Sequence, residues 1–289
     1  MIPQVEYLLV DDIEKALSYL SSDRKVIPFA GGTDLLIELR KRKNPFESVI
    51  LIDTKNLGID RIKSEEESVV IGASATHSSI EDDELIKTKL PVLSCAASQI
   101  GSKQIRNRGT IGGNIINAAP CADSVPALLL YNTNVVLKSY QKERTISLAE
   151  LITGPYRTLR EDNELLTEIR TFPVDPKSGW SYFKLGRRNA VNISRMTVAC
   201  LISIGDDGNI SDARIAAGSV FPITSRILKV EQFLYGEKPS KQVFIQAGKI
   251  ASEQMIEITG NRWSTPFKKP VLENLIYCCL NEAFNRCEK

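Results

Sequence analysis

The sequence predicts an α+β protein built from three lobes. Short apolar, strand-like runs alternate with helical patterns through the first half of the chain, and a strong hairpin signal followed by three helical segments occupies the last third. The 289 residues, of which 43% are hydrophobic, are enough for two or three subdomains with their own cores. We expect lobes at 1–55 and 56–173, followed by a C-terminal α+β domain at 177–289.

The first lobe is predicted to contain two helices and two buried strands. Residues 13–20 carry apolar side chains at helical spacing, and 26–29 form a short apolar run of the buried-strand type. A helix over 34–43 places its three leucines on one face. The apolar run within 48–53 is typical of the buried strands of parallel sheets.

The second lobe begins with a hairpin-like pair and continues with one long helical pattern. The hairpin joins 60–63 to 68–73. A helix is expected over 77–100, with three acidic residues near its start, where carboxylates favour the helix dipole. Further strands are expected at 134–139, 145–148 and 165–172.

A break at Pro173–Pro176 precedes the C-terminal domain. A strand is expected over 182–188, where it ends in basic residues. Gly205–Asn209 is the clearest hairpin signal in the chain, and it lies between strands expected at 198–204 and 210–220. Helices expected at 227–235, 243–258 and 270–284 complete an antiparallel sheet with a helical layer.

The charge balance gives no reason to expect a nucleic-acid partner. The net charge is +2 at pH 7, and the basic run Arg40–Lys43 falls where a helix is expected to end, so we interpret it as a solvated helix end. No apolar run approaches the ~20 residues that span a bilayer, and no signal peptide is evident. We expect a soluble, cytoplasmic protein that does not contact membranes.

No metal site is expected on this chain. Its six cysteines are scattered, without the two-residue gap of a metal knuckle, and we expect them to be reduced. His77 is the only histidine, which disfavours zinc or mononuclear iron sites and hydrolytic triads. We interpret His77 as a capping or solvated residue next to the predicted helix.

Two glycine-rich segments are the main candidates for a functional site. Ala30–Leu35 reads Ala-Gly-Gly-Thr-Asp-Leu and joins a predicted strand to a predicted helix, which is a natural place for a pyrophosphate. Gly109–Asp123 contains Thr-Ile-Gly-Gly-Asn, and we expect a loop whose main chain approaches a ligand closely and whose exposed amides hold an anion. Together they predict a dinucleotide held from two sides.

Other nucleotide-binding and catalytic motifs are absent from the sequence. It contains neither Gly-x-Gly-x-x-Gly nor a Walker-type Gly-Lys-Ser/Thr loop, and it offers no Ser/His/Asp or Cys/His set. What remains is a protein that holds a nucleotide cofactor and leaves the chemistry to that cofactor.

Several polar residues near these segments allow two interpretations. Asp123 could accept hydrogen bonds from ribose hydroxyls or could simply be a turn residue. Lys184 could be a surface lysine or could lie at the cofactor. Arg106 and Arg108 could cover the surface or face a partner subunit.

The two glycine motifs resemble those of a known family. Pro-Phe-Ala-Gly-Gly-Thr-Asp-Leu at 28–35 and Arg-Asn-Arg-Gly-Thr-Ile-Gly-Gly-Asn-Ile at 106–115 are similar to segments of the FAD-binding subunit of molybdenum hydroxylases. That family includes the flavin subunits of bacterial xanthine dehydrogenase, nicotinate dehydrogenase and carbon monoxide dehydrogenase. The resemblance covers essentially the whole chain and implies a PCMH-type, two-lobed FAD-binding domain followed by the C-terminal domain.

The resemblance implies non-covalent FAD, with the pyrophosphate on the backbone amides of Ala30–Leu35 and Thr110–Asn114 and the hydroxyls of Thr33 and Thr110. It places Asp123 at the nucleotide part of FAD, Ile100 and Ile193 beside the isoalloxazine ring, and Lys184 near its polar edge. The implied cofactor-binding residues are Pro28, Phe29, Ala30, Gly31, Gly32, Thr33, Asp34, Leu35, Ile100, Thr110, Gly112, Gly113, Asn114, Asn117, Asp123, Leu166, Thr167, Lys184 and Ile193. Leu166 and Thr167 would border the ring or the adenine end. A covalent flavin link through His77, as some distant relatives use, is disfavoured because His77 lies outside both motifs.

The resemblance also implies partners. A molybdopterin-binding large subunit would oxidise the substrate, a subunit with [2Fe-2S] clusters would deliver the electrons, and FAD would pass them on, with NAD+ as the acceptor in the xanthine dehydrogenase-like members. A heterotrimer or its dimer, acting in purine catabolism, is the corresponding expectation.

Two features separate this chain from branches of the family. The benzoyl-CoA reductase type carries an inserted cysteine cluster, whereas only Cys95 and Cys121 lie between 73 and 135 here. Ile193 stands where the carbon monoxide-oxidising members have a tyrosine, which favours a xanthine- or nicotinate-type relative. The alternatives are a flavin subunit for nicotinate, another N-heterocycle or an aldehyde, and a stand-alone nucleotide-binding protein that has lost its partners.

Overall fold

The computed structural model describes residues 5–41, 48–186 and 193–287. The α+β prediction is confirmed, because one parallel sheet, two antiparallel sheets and a small hairpin are surrounded by helices. We propose to keep 1–55, 56–173 and 177–289 as the bounds of the three lobes.

The first lobe is a three-stranded parallel sheet with two helices. Its elements are β1 (Val5–Leu9), α1 (Ile13–Leu20), β2 (Val26–Phe29), α2 (Leu35–Lys41) and β3 (Val49–Asp53). The central strand β3 pairs in parallel with β1 and β2, and all its residues are buried, as its apolar run predicted. Arg40 and Lys41 lie in the last turn of α2, whereas the rest of the predicted basic helix end, Arg42 and Lys43, lies outside the described residues.

The second lobe is built on a five-stranded antiparallel sheet in the order β4-β5-β10-β6-β7. Its strands are β4 (Ile62–Glu65), β5 (Ser68–Gly72), β6 (Asn134–Lys138), β7 (Glu143–Ser147) and β10 (Leu165–Thr171). Its helices are α3 (His77–Asp82), α4 (Glu84–Lys89), α5 (Pro91–Ser98), α6 (Lys103–Arg106), α7 (Ile111–Asn117), α8 (Ser124–Leu130) and α9 (Leu148–Leu151). A small hairpin of β8 (Ile152–Gly154) and β9 (Arg157–Thr158) follows α9.

The single helix predicted over 77–100 is wrong. The chain forms three short helices there, because Asp83 leaves the helical conformation and its side chain accepts a hydrogen bond from the Ile86 amide, which starts α4. Leu90 is also non-helical, and Pro91 begins α5, where its missing amide hydrogen is tolerated.

The C-terminal domain is a four-stranded antiparallel sheet followed by three helices. The strands are β11 (Gly179–Leu185), β12 (Met196–Ile204), β13 (Ile210–Gly218) and β14 (Ser225–Arg226), and the helices are α10 (Leu228–Leu234), α11 (Lys241–Thr259) and α12 (Thr265–Cys287). The predicted hairpin between β12 and β13 is confirmed. The predicted strand over 182–188 is described only as far as β11, because Arg187 and Arg188 lie outside the described residues.

Helices cover both faces of this C-terminal sheet. On β12, Val198, Cys200 and Ile202 pack into a core with α10, α11 and α12. The alternate residues Ala199 and Leu201 pack into the core of the second lobe, with α5 and α8. The predicted helical layer is therefore present, and the second lobe supplies another layer on the opposite face. Among the described residues, none of the helices combines the length and the apolar character that a membrane crossing requires.

Candidate functional site

A cavity of about 360 Å³ lies between the first and second lobes. The segment joining β2 to α2 forms one wall, and α7 with its N-terminal cap forms the other. The predicted site residues that line it are Pro28, Ala30, Gly31, Gly32, Thr33, Asp34, Leu35, Ile100, Thr110, Gly112, Gly113, Asn114, Asn117 and Leu166. The fold thus brings both glycine motifs to one cavity.

The first glycine segment needs its glycines for two reasons. A β-carbon on Gly31 would lie 2.0 Å from the carbonyl oxygen of Arg108, so no larger residue fits there without movement. Gly32 has φ +69°, a left-handed conformation that side chains disfavour. The strand can therefore turn sharply into α2 while the turn packs directly on the second lobe.

The same segment presents a row of unpaired backbone donors. Within the described parts of the chain, the amides of Gly31, Gly32, Thr33, Asp34 and Leu35 donate to no protein acceptor. Unpaired amides at a helix start carry partial positive charge, and they bind anions well. This row therefore has the donors that an anion requires.

The second glycine segment is a helix, and the predicted loop is wrong at this point. Thr110 caps α7, its hydroxyl accepting a hydrogen bond from the Gly113 amide at 3.1 Å. The amides of Ile111, Gly112 and Asn114 donate to the backbone oxygens of Ala75, Ala73 and Thr110. Four of the five amides in Thr110–Asn114 therefore already have protein acceptors, in the helix cap, in the first turn of the helix and in the segment of Ala73 and Ala75.

Gly112 and Gly113 have different roles in this helix. A β-carbon on Gly112 would lie 2.6 Å from the Ala73 oxygen, so that glycine allows α7 to pack against the strand side of the lobe. A β-carbon on Gly113 would meet only the Thr110 hydroxyl, at 2.9 Å, and Gly113 is exposed at the cavity. Gly113 leaves room for a ligand, whereas Gly112 serves packing.

Lys184 and Asp123 form a buried ion pair outside the cavity lining. The Lys184 ammonium lies 2.7 Å from Asp123 Oδ2 and also donates to the Gln99 carbonyl oxygen at 2.7 Å. Ser194 and Tyr182 donate to the same carboxylate. Burial raises the pKa of Asp123, although Lys184 acts in the opposite direction.

Two contacts connect this ion pair to the cavity wall. Gln99 immediately precedes Ile100, which lines the cavity. The Ser124 hydroxyl, next to Asp123, donates to Asn114 Oδ1 at 2.6 Å. The pair thus supports the end of the cavity near Ile100, while the Asp123 carboxylate is already engaged by protein donors.

Three other predicted site residues lie away from the lining. Phe29 is buried behind the first glycine segment, where its ring packs edge-on against Tyr7. The Thr167 hydroxyl donates to the Val136 carbonyl oxygen within the sheet. Ile193 is 77% exposed on the surface.

The cavity also contains residues that the sequence did not single out. Arg160 and Glu164 line it from the loop before β10. The Arg160 guanidinium donates to the backbone oxygens of Glu161 and Glu164, both at 2.8 Å, and Arg144 pairs with the Glu164 carboxylate. No local motif marks these residues, because their positions depend on how the loop folds against the sheet.

The interpretation of His77 as a capping or solvated residue is wrong. Thr76 is the N-cap of α3, and the His77 side chain is buried in the cavity wall with 3% exposure. Burial, followed by the positive charge of Arg106, lowers the pKa of His77 to about 4. The imidazole is therefore neutral at pH 7.

Comparison with known protein families divides the chain into two matched segments. Residues 3–174 match the model of the FAD binding domain in molybdopterin dehydrogenase. Residues 181–283 match the CO dehydrogenase flavoprotein C-terminal domain.

Curated relatives match along nearly the whole chain. The carbon monoxide dehydrogenase medium chain of Hydrogenophaga pseudoflava is 31% identical, with 99% of each chain covered. The glyceraldehyde dehydrogenase medium chain of Sulfolobus acidocaldarius is 29% identical, covering 97% of this chain and 99% of the relative. The xanthine dehydrogenase FAD-binding subunit of Escherichia coli O157:H7 is also 29% identical, covering 93% and 92%.

Solved structures share the same architecture. The carbon monoxide dehydrogenase of Hydrogenophaga pseudoflava superposes with a TM-score of 0.89 at 29% identity, with 99% of each chain covered. Quinoline 2-oxidoreductase from Pseudomonas putida 86 gives a TM-score of 0.90 at 20% identity over the full length of both chains, which supports the fold alone.

The residues of the cavity suit the dinucleotide that the matched domain binds. The free amides of Gly31–Leu35 are donors for a pyrophosphate, and the cavity surface exposed by Gly113 leaves room for it. Ile27, Ile59, Leu165 and Leu166 add apolar surface for an aromatic ring. The buried Nδ1 of His77 also has no hydrogen-bond partner among the residues that the structure describes.

Proposed function

Since the chain belongs to the family of FAD-binding subunits of molybdopterin dehydrogenases, we propose that it takes electrons from an iron–sulfur subunit and passes them to NAD+. Bound FAD supplies the redox chemistry, and the chain supplies binding, orientation and electrostatics. Its relatives act in dehydrogenase complexes whose molybdenum and iron–sulfur centres lie on other subunits.

The observation that supports this proposal most strongly is the row of free amides from Gly31 to Leu35. In our account these amides hold the FAD pyrophosphate, because they are the only consecutive unpaired donors that we find along the described part of the cavity wall. The Thr33 and Thr110 hydroxyls add donors. The Thr110 oxygen already accepts from Gly113, so its hydrogen remains available for a phosphate oxygen.

We place the two aromatic ends of FAD at opposite apolar surfaces. The adenine would lie on Leu165 and Leu166, near Arg160, and the isoalloxazine ring would lie at Ile100. The side chains of Asn114 and Asn117 would hydrogen-bond to the polar chain between the two rings. Ile193 would face the ring from outside, where its side chain is exposed.

The ion pair of Lys184 and Asp123 would act on the ring through position and charge. The hydrogen bond from the Lys184 ammonium to the Gln99 carbonyl oxygen would fix the position of Gln99 and of the adjacent Ile100. The same ammonium would lie near the polar edge of the ring. We also propose that Asp123 accepts a hydrogen bond from a ribose hydroxyl, in addition to the protein donors that already contact its carboxylate.

The partners, substrate and location are further parts of the proposal. We propose a heterotrimer with an iron–sulfur and a molybdopterin subunit, acting in purine catabolism on xanthine, with nicotinate, another N-heterocycle or an aldehyde as the alternative substrate. The relatives' printed names span xanthine, nicotinate and glyceraldehyde at the same 29% identity, so the substrate depends on the partner chain. We place the complex in the cytoplasm, where the thiols of Cys95, Cys121, Cys200, Cys278 and Cys279 would stay free.

A stand-alone nucleotide-binding protein that has lost its partners is the second candidate. The retained free amides and the open surface at Gly113 favour a working FAD site in either case. Copurification separates the two candidates, because a functional subunit should carry an iron–sulfur protein with it. A chain that purifies alone from its native source, with no partner at any salt concentration, would support the stand-alone protein.

The electron acceptor is tested by running the reaction backwards. NADH added without oxygen to the FAD-loaded chain should bleach the visible flavin band, if NAD+ is the natural acceptor. Bleaching by dithionite but not by NADH would reject NAD+ and leave the flavin-subunit assignment intact.

A further inference from the structure

His77 is the only histidine of the chain, and it is the first residue of α3. Its backbone amide donates to the Gly109 carbonyl oxygen at 2.9 Å, which ties the start of α3 to the second glycine motif. The position of the residue is therefore fixed by backbone contacts on its N-terminal side.

The imidazole lies where the two glycine motifs meet. It lines the cavity, and a β-carbon on Gly109 would lie 3.2 Å from His77 Cδ2, so the ring packs directly on that glycine. The neighbouring Arg108 carbonyl is the group on which Gly31 packs. The ring is thus placed beside the free amides rather than at either apolar end of the cavity.

Neither ring nitrogen of His77 has a hydrogen-bond partner among the described residues. Nδ1 is completely buried and unpaired, and no hydrogen bond to Nε2 is present. Leaving a buried polar group unpaired costs about 1–3 kcal/mol, so an unpaired ring at a cavity is a candidate for a hydrogen bond to a bound molecule. Because Nδ1 has no accessible surface, Nε2 is the nitrogen that a molecule in the cavity lined by the ring could reach.

We propose that His77 is a positioning residue for FAD, and that its imidazole hydrogen-bonds to an oxygen of the phosphoribityl chain between the pyrophosphate and the flavin ring. The oxygen-rich part of FAD is assigned because the ring adjoins the amide row, where the pyrophosphate is expected. This inference rests on FAD binding in the cavity.

The chemistry of the ring suits this task. Arg106 is the charged group that acts on His77, and together with burial it keeps the imidazole uncharged at neutral pH, with one N–H donor and one acceptor nitrogen. A ribityl hydroxyl can pair with Nε2 in either tautomer of the ring, and a phosphate oxygen can pair with Nε2 when that nitrogen carries the N–H. The residue would therefore contribute a directed hydrogen bond and no charge.

Two variants separate this role from a structural one. His77→Leu has a similar volume and removes both nitrogens, and His77→Gln keeps a donor and an acceptor. At pH 7 we expect His77→Leu to leave the FAD-free chain at least as stable as the parent, because no protein hydrogen bond is lost and an unpaired buried polar group is removed. Its affinity for FAD should fall about tenfold in calorimetric titration, and His77→Gln should regain part of that loss.

A second readout uses the fact that the chain has one histidine. A preparation without a histidine tag, labelled with 15N-histidine, gives a single imidazole spectrum. Adding FAD should move the ring nitrogen resonances and slow the exchange of the ring N–H. This measurement does not depend on whether a variant folds.

Unchanged FAD affinity in His77→Leu, or an imidazole spectrum indifferent to FAD, would overturn the proposal. A loss of stability without a loss of affinity would identify His77 as a packing residue and would also overturn it. If the parent chain itself fails to bind FAD, the proposed function fails. If the parent binds FAD and His77→Leu binds it equally well, only the role of His77 fails.

Discussion

Gly31 lies so close to Arg108 that a β-carbon on residue 31 would stand 2.0 Å from the Arg108 carbonyl oxygen. This contact joins the first glycine motif to the residue just before the second. The two motifs are thus parts of one site, although about eighty positions separate them in the sequence.

We predict that Gly31→Ala destabilises the chain by about 1–3 kcal/mol, because the added methyl group must push the two lobes apart. Urea unfolding of the FAD-free protein measures this difference. Gly154→Ala is the matched control, since a β-carbon there would meet nothing closer than 3.9 Å. Equal free energies of unfolding for Gly31→Ala and Gly154→Ala would contradict the prediction, because the contact between residue 31 and Arg108 would then not resist a methyl group.

Gly113→Val should leave the chain folded and abolish the retention of flavin. Its β-carbon meets only the Thr110 hydroxyl, yet its methyl groups would project into the cavity. Gly205→Val, in the turn between β12 and β13, is the control, because the nearest neighbour of its β-carbon is likewise a side-chain oxygen, Asp207 Oδ1 at 3.0 Å. Full flavin content in purified Gly113→Val would contradict the placement of the ligand.

Lys184→Met should destabilise the chain by about 3–5 kcal/mol, because it leaves the Asp123 carboxylate buried and uncompensated. The two side chains are only 5% and 8% exposed. Adding Asp123→Asn to this variant should recover part of the loss. Lys229→Met, which breaks the exposed pair with Glu257, should cost less than about 1 kcal/mol and serves as the control.

The pH dependence of stability should carry a contribution from His77. Its pKa falls from 6.5 to about 4 on folding, so the unfolded chain binds the extra proton between these values. The free energy of unfolding therefore decreases as pH falls from 6.5 toward 4. The decrease due to His77 should be about 2 kcal/mol between pH 7 and pH 5. Comparing urea unfolding of the FAD-free parent and His77→Leu at both pH values isolates this contribution, and identical slopes would contradict it.

Local patterns in the sequence predicted most of the fold. The apolar run of β3 and the turn at Gly205–Asn209 have strong local signals, and both elements form where expected. The double glycine of the second motif predicts an anion-binding loop, because glycines let main chain approach a ligand closely. In the structure the Thr110 cap and the close contact of Gly112 with Ala73 make a helix possible there.

The sequence predicted the site residues better than their contacts. Fourteen of the nineteen candidates line one cavity, because the motifs carry local information. The burial of His77 depends on Gly109, and the partner of Asp123 is 61 positions away. Such long-range contacts leave no local pattern, so these two residues could not be interpreted correctly from the sequence.

The most direct test of the central claim is calorimetric titration of the flavin-free chain with FAD, FMN and ADP. If the free amides of Gly31–Leu35 hold a pyrophosphate, FAD should bind one-to-one and tightly, ADP should compete with it, and FMN should bind far more weakly because it lacks the pyrophosphate and the adenine. FMN binding as tightly as FAD, with no competition by ADP, would contradict the account.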